Sequence, residues 1–116
     1  MSADAKARRA ARLAAVQALY QMELAGIGAQ EVAEEFVAHR FAELADPPDA
    51  DFFGALVIAV PRHQVEIDKA IAACLTQNWT LARMDSILRA ILRAGAVELL
   101  KGLDERGFAF YTNAES

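Results

Sequence analysis

The chain has 116 residues, 55% of them apolar, enough for one small domain with its own core, and no second domain is needed. Its longest unbroken apolar run, Phe52 to Val60, is far short of the ~20 residues that cross a bilayer, and no apolar segment follows the basic residues at the start; a cytosolic protein is expected. The net charge of −4 is uneven: residues 1–22 carry four basic side chains and one acid, residues 23–52 one basic and eight acids, and residues 53–116 seven of each. A uniformly positive protein is thereby excluded, while a local anion site at the N-terminus, with nucleic acid foremost, is not.

The first predicted helix covers residues 4–25, with Leu13, Val16, Tyr20 and Leu24 on one stripe and glycines 26 and 28 ending it. Its other side is mostly alanine, which favours helix and either permits close approach by a neighbour or leaves a bland solvent face. A second helix is expected from about Gln30 to Ala45, with Val32, Phe36, Val37, Phe41 and Leu44 inward and glutamates outward, stopped by Asp46-Pro47-Pro48-Asp49. A third begins near Asp49 or Asp51 with Phe53, Leu56, Val57, Val60, Val65, Ile71 and Leu75 inward. Pro61 predicts a kink or restart near Val60, since it removes a backbone donor and crowds the preceding turn. The only cysteine, Cys74, rules out an intrachain disulfide and is read as a small buried hydrophobe.

Gln77 to Arg83 is a connection holding the only tryptophan, and the central helix follows over residues 84–101. At about 100° per residue, Ile87, Leu88, Ile91, Leu92, Gly95 and Leu99 share one wide apolar face with Arg89 and Arg93 opposite. Asp85 is placed to cap the start and Gly102 to end it. Glu98 falls inside the apolar arc, where a carboxylate requires a partner, and a structural pair with an arginine or Tyr20 is favoured. A turn at Gly107 and a weak strand candidate over Phe108 to Thr112 close the sequence. The predicted class is all-α, a bundle of four to five helices.

No phosphate loop, nucleophile elbow or metal-ligand spacing occurs, His39 and His63 are read as surface or edge residues, and neither an enzyme nor a cofactor is indicated. The binding chemistry concentrates at Arg8, Arg9 and Arg12, with Gln17 and Tyr20 further along the same helix. Guanidinium groups bind phosphates or stack on bases, and an amide reads a base edge, so this is a reasonable surface for single-stranded RNA.

Two segments, ARRAARLAAVQALYQMELAG at 7–26 and RMDSILRAILRAGAVELL at 83–100, resemble the opening and central helices of the NusB family of bacterial transcription antitermination factors. DFFGALVIAVPRHQVEID at 51–68 resembles the family's middle helix, and Trp79-Thr80-Leu81 its approach to the central one. The resemblance implies a NusB-like helical bundle that binds the boxA element of ribosomal RNA leader transcripts with ribosomal protein NusE, within an antitermination complex on RNA polymerase. It assigns RNA contacts to Arg8, Arg9 and Arg12, with Gln17 and Tyr20 as further candidates. The sequence departs from the family at its C-terminus, where Asn113 is the only echo of a Val-Ile-Asn-Glu pattern and the last helices of the family are missing, and also at Val97 and Pro61. The expectation is therefore a shortened member whose central apolar face is under-covered, with homodimerisation as one way to cover it. Two alternatives stand beside RNA binding: an interaction module that no longer binds RNA, and the NusB-like domain of an rRNA cytosine methyltransferase, which needs a methyl-donor domain further along.

Overall fold

The computed structural model describes residues 3–102, which form five α-helices. They are α1 (Ala3–Ala25), α2 (Ala29–Glu35), α3 (Ala50–Arg62), α4 (Gln64–Cys74) and α5 (Ser86–Lys101). Helix α1 packs against α3 and α5, α2 lies on α3, and α4 runs beside α5. The expected turn at Gly107 and the strand candidate over 108–112 lie outside the described residues.

Helix α1 is organised the opposite way round from its apolar stripe. Ala11, Ala14, Ala15, Ala18 and Leu19 are buried, whereas Leu13 is 63% exposed and Leu24 64%. Of the two readings of the alanine face, close approach is the one realised. Alanine carries no side-chain entropy to lose and lets a neighbouring helix come near the minimum axial separation, so α3 and α5 can both sit tightly on α1. Gly26, at φ 68°, ends the helix in the left-handed region as the sequence indicated.

After Glu35 the chain does not stay α-helical to Ala45. It passes through a π turn (Phe36–Arg40) and a 3₁₀ turn (Phe41–Glu43), leaving Val37 and Leu44 partly exposed and Phe36 and Phe41 buried. The wider π turn, in which the Phe41 amide donates to the Phe36 carbonyl, lets two phenylalanines five residues apart reach the same neighbour. Phe36 stacks on Phe53 at 5.5 Å between centroids, and Phe41 meets that ring edge-on at 4.8 Å. Asp49 caps α3, its carboxylate accepting from the Phe52 amide at 3.0 Å, while its own amide donates to the Ala7 carbonyl of α1 at 3.0 Å.

Pro61 is followed by a restart, one of the two expectations near Val60, a few residues further on. It lies in the last turn of α3, and the break comes at His63 (φ −114°, ψ 17°), after which α4 starts afresh. Only Arg62 follows it in α3, so the distortion a proline imposes falls where the helix is already ending. The restart turns Val65, expected to point inward, out to 74% exposure, while Ile67 and Ile71 face the core; Cys74 at the end of α4 is exposed rather than buried.

Helix α5 is the largest correction. Its ends are as expected: Asp85 accepts from the Leu88 amide at 2.9 Å, and Gly102 closes the helix at φ 60°. The face turned to the bundle, however, is Ala90, Ala94, Val97 and Lys101. Ile87, Ile91 and Leu100 are about half exposed, and Leu99 is 86% exposed. Periodicity identifies a face that gains by being covered, but the small residues and the arginines settle which side meets α1 and α4. Enlarging the shared alanine seam should therefore be costly: Ala15→Leu is expected to lower unfolding free energy by about 1–3 kcal/mol, and Leu13→Ala by no more than about 0.5 kcal/mol, both read by urea denaturation.

Candidate nucleic-acid interface

The arginine-rich start of α1 arises because helix geometry puts Arg8 and Arg12 one turn apart, with Arg9 about 60° round from Arg12. Arg9 and Gln17 are exposed, and Arg8 and Tyr20 are half-buried. Arg9 and Tyr20 fall on the outward ridge of α1, Arg8 and Arg12 on the flank toward α5, and Gln17 on the other flank. The five residues thus lie along one helix without converging on one point.

Arg12 is the anchored member. Its Nε and Nη2 donate to the Glu98 carboxylate of α5 at 2.9 to 3.1 Å, a two-pronged pair, and its guanidinium lies 5.1 Å from the centre of the Phe52 ring. Glu98 therefore has the arginine partner that its place in the apolar arc demanded. The hydrogen bond Arg12 donates to Glu98 raises the Arg12 pKa above its ordinary value. The Arg12 side chain is 46% exposed, so the pair fixes the planar group while leaving part of it open to solvent.

Two further arginines are tied across the same bundle. Arg89 donates through Nε and Nη2 to Glu23 of α1 at 3.0 Å and through Nη1 to the Leu81 carbonyl at 2.9 Å. Arg93 grips Asp68 of α4 at 2.9 Å through Nε and Nη2. Both are largely buried, at 15% and 18% exposure. Although opposite the apolar stripe, their side of α5 is turned into the bundle, and their donors are engaged within it. Lys101 closes the set, reaching Glu66 of α4 at 2.6 Å. The sequence showed these charges but not their pairing, since the partners lie between 25 and 86 residues apart.

Hydrogen bonding from Arg89, then from Ser86, holds the Glu23 carboxyl below its ordinary range, and Lys101 does the same for Glu66. No group of three or more His, Cys, Asp or Glu that could hold a metal occurs among the described residues, and none of their helices is long and apolar enough to cross a membrane.

A small all-α bundle, its first and last described helices clamped side by side by arginine–carboxylate pairs and its first helix basic at the start, is the class these features define. The family model described as the NusB family matches residues 9–105, and the chain belongs to that family. It is 50% identical over 101 residues to the transcription antitermination protein NusB of Maricaulis maris (strain MCS10), covering 83% of this chain and 63% of the relative. It is likewise 50% identical over 105 residues to that of Rhizobium etli (strain CIAT 652), covering 86% and 66%. With the protein of the same name from Sinorhizobium fredii the identity is 49% over 106 residues. The chain thus spans a little under two thirds of the length of these relatives. No solved structure matches it.

A carboxylate held below its ordinary range contributes stability above the unfolded-state pKa of about 4.3, and that contribution fades as pH falls toward the lowered folded value. Glu23→Gln should accordingly flatten the acid side of the stability profile between about pH 5 and pH 3, and cost no more than about 1 kcal/mol at pH 7, because water screens the partly exposed pair. Urea denaturation across that range measures both.

Proposed function

We propose that the chain is an RNA-binding antitermination factor for ribosomal RNA operons, which binds boxA-type single-stranded RNA together with ribosomal protein NusE and joins the antitermination complex on RNA polymerase. The role is one of binding, without catalysis or a cofactor. The observation that carries this reading is the basic first helix, with Arg9 outward and exposed beside an Arg12 whose guanidinium is already oriented by Glu98 and Phe52. A prealigned planar cation loses little further freedom when it meets a phosphate or a base face. Membership of an antitermination family supports the same reading.

Within this proposal Arg8, Arg9 and Arg12 contact the RNA backbone and bases, Tyr20 offers an aromatic face, and Gln17 a base-reading amide. Arg9 is exposed on the outward ridge, whereas Arg12 also ties α1 to α5. A second reading, an interaction module that does not bind RNA, is favoured by a different observation, the exposed aliphatic face of α5.

The test is titration of boxA RNA with the purified chain over a range of salt, with and without NusE. Arg9→Gln should weaken binding and lower the slope of log affinity against log salt by about one; Arg9→Gln with Arg12→Gln should lower it further. Unchanged affinity and slope in the double variant would refute the assignment. Failure of the unaltered chain to bind either RNA or NusE would favour the interaction module.

A further inference from the structure

The Arg12 guanidinium has more donors than Glu98 takes. Its Nε and Nη2 meet the carboxylate at 2.9 to 3.1 Å along one edge of the plane. The hydrogens of Nη1 and the second hydrogen of Nη2 form the adjacent edge, and no group among the described residues accepts from Nη1. One face of the plane is backed as well, with its central carbon 5.1 Å from the centre of the Phe52 ring. Phe52 is itself fixed. It is buried in the first turn of α3, its amide donates to the Asp49 carboxylate, and the Asp49 amide donates in turn to the Ala7 carbonyl of α1 at 3.0 Å.

Charge alone counts Glu98 against RNA, because a carboxylate repels phosphate. Geometry reverses that sign. The carboxylate occupies the Nε side of the guanidinium, so the Nη1 edge is turned away from it. A two-pronged contact to a second helix also fixes both the place and the plane of that edge. A long side chain on an exposed helix otherwise samples many rotamers and must be ordered at the moment of binding. Here α5 and α3 order it beforehand.

We infer that Glu98 is a positioning residue for RNA, holding Arg12 so that its Nη1–Nη2 edge meets a backbone phosphate end-on while Phe52 backs the plane. Glu98 itself touches no RNA. The inference deepens the RNA-binding reading of α1 and rests on it.

The test is titration of boxA-type RNA, in the presence of NusE, with the full chain and its variants, helicity by circular dichroism serving as the check on folding. Glu98→Ala is expected to weaken binding roughly two- to tenfold, the cost of immobilising one rotamer-rich side chain, although it removes a negative charge. Glu98→Gln, which keeps one acceptor oxygen, should lie between Glu98→Ala and the unaltered chain. In an Arg12→Gln background Glu98→Ala should leave affinity unchanged or raise it, since only the repulsion remains. Glu23→Gln separates positioning from bracing. It breaks the other tie between α1 and α5, which involves Arg89 and not Arg12, and should not weaken RNA binding. In the free chain, nitrogen relaxation of the Arg12 Nε–H should report a rigid group that becomes mobile in Glu98→Ala and stays rigid in Glu23→Gln. RNA binding by Glu98→Ala that equals or exceeds that of the unaltered chain overturns this inference alone. Equal weakening by Glu98→Ala and Glu23→Gln overturns it too, leaving Glu98 as a brace between helices. An Arg12 Nε–H already mobile in the unaltered chain overturns it without RNA. An unaltered chain that binds no RNA overturns the RNA-binding reading and this inference with it.

Discussion

The close approach of α1 and α5 is the constraint on which the rest of the fold depends. Ala11, Ala14, Ala15 and Ala18 of α1 and Ala90, Ala94 and Val97 of α5 belong to one buried cluster, in which small residues predominate on both helices. Small residues contribute little area each, so the apolar driving force there is modest, and the large side chains of the core, Phe36, Phe52, Phe53 and Leu56, supply the burial from the α2–α3 side. The seam is instead made specific by its cross-ties. Arg12 to Glu98 and Arg89 to Glu23 fix the two helices in both rotation and register, since a two-pronged guanidinium contact tolerates little sliding. Turning α5 to bury its leucines would break both pairs.

The same arrangement sorts the surface into regions of different chemistry. The start of α1 is basic, the outside of α2 carries Glu31, Glu34 and Glu35, and the outside of α5 is aliphatic. Arg12 belongs to two of the structure's concerns at once. It braces α1 against α5 and also stands in the proposed RNA surface, so the orientation of the recognition group is inherited from the packing of the bundle. A surface of this kind is preorganised by the fold and not by the ligand.

Much of the fold was legible in the sequence. Both ends of α5 followed from Asp85 and Gly102, the end of α1 from its glycines, and the all-α class from periodicity together with the absence of strand patterns. What failed was the choice of face. In α1 and α5 the strongest apolar stripe points outward, because helical periodicity measures contrast around a helix and is blind to what lies opposite. The alanine side left close approach and a bland solvent face both open, and the tertiary structure selects close approach. Arg89 and Arg93 were read as exposed because burial of an arginine depends on a distant carboxylate, which no local pattern reveals. Glu98 was the exception. A charge inside an apolar arc announces its need for a partner, and Arg12 met it. For the candidate site, the residues were readable from a basic cluster on one helix, but the anchoring of Arg12 on Phe52 needed the tertiary structure.

The π turn after α2 carries a consequence for how this chain tolerates change in length. In a regular α-helix, residues five apart point about 140° away from each other, and the two phenylalanines could not both have reached Phe53. The widened turn absorbs one extra residue between Phe36 and Phe41 and leaves both rings on Phe53. Removing one residue from positions 37–40 would put the two rings four apart, the spacing at which an ordinary helix aligns them. This turn is thus a built-in register reserve: a single-residue deletion there converts π to α geometry and leaves the aromatic cluster intact, whereas the same deletion in α1 or α5 would rotate an alanine seam out of contact.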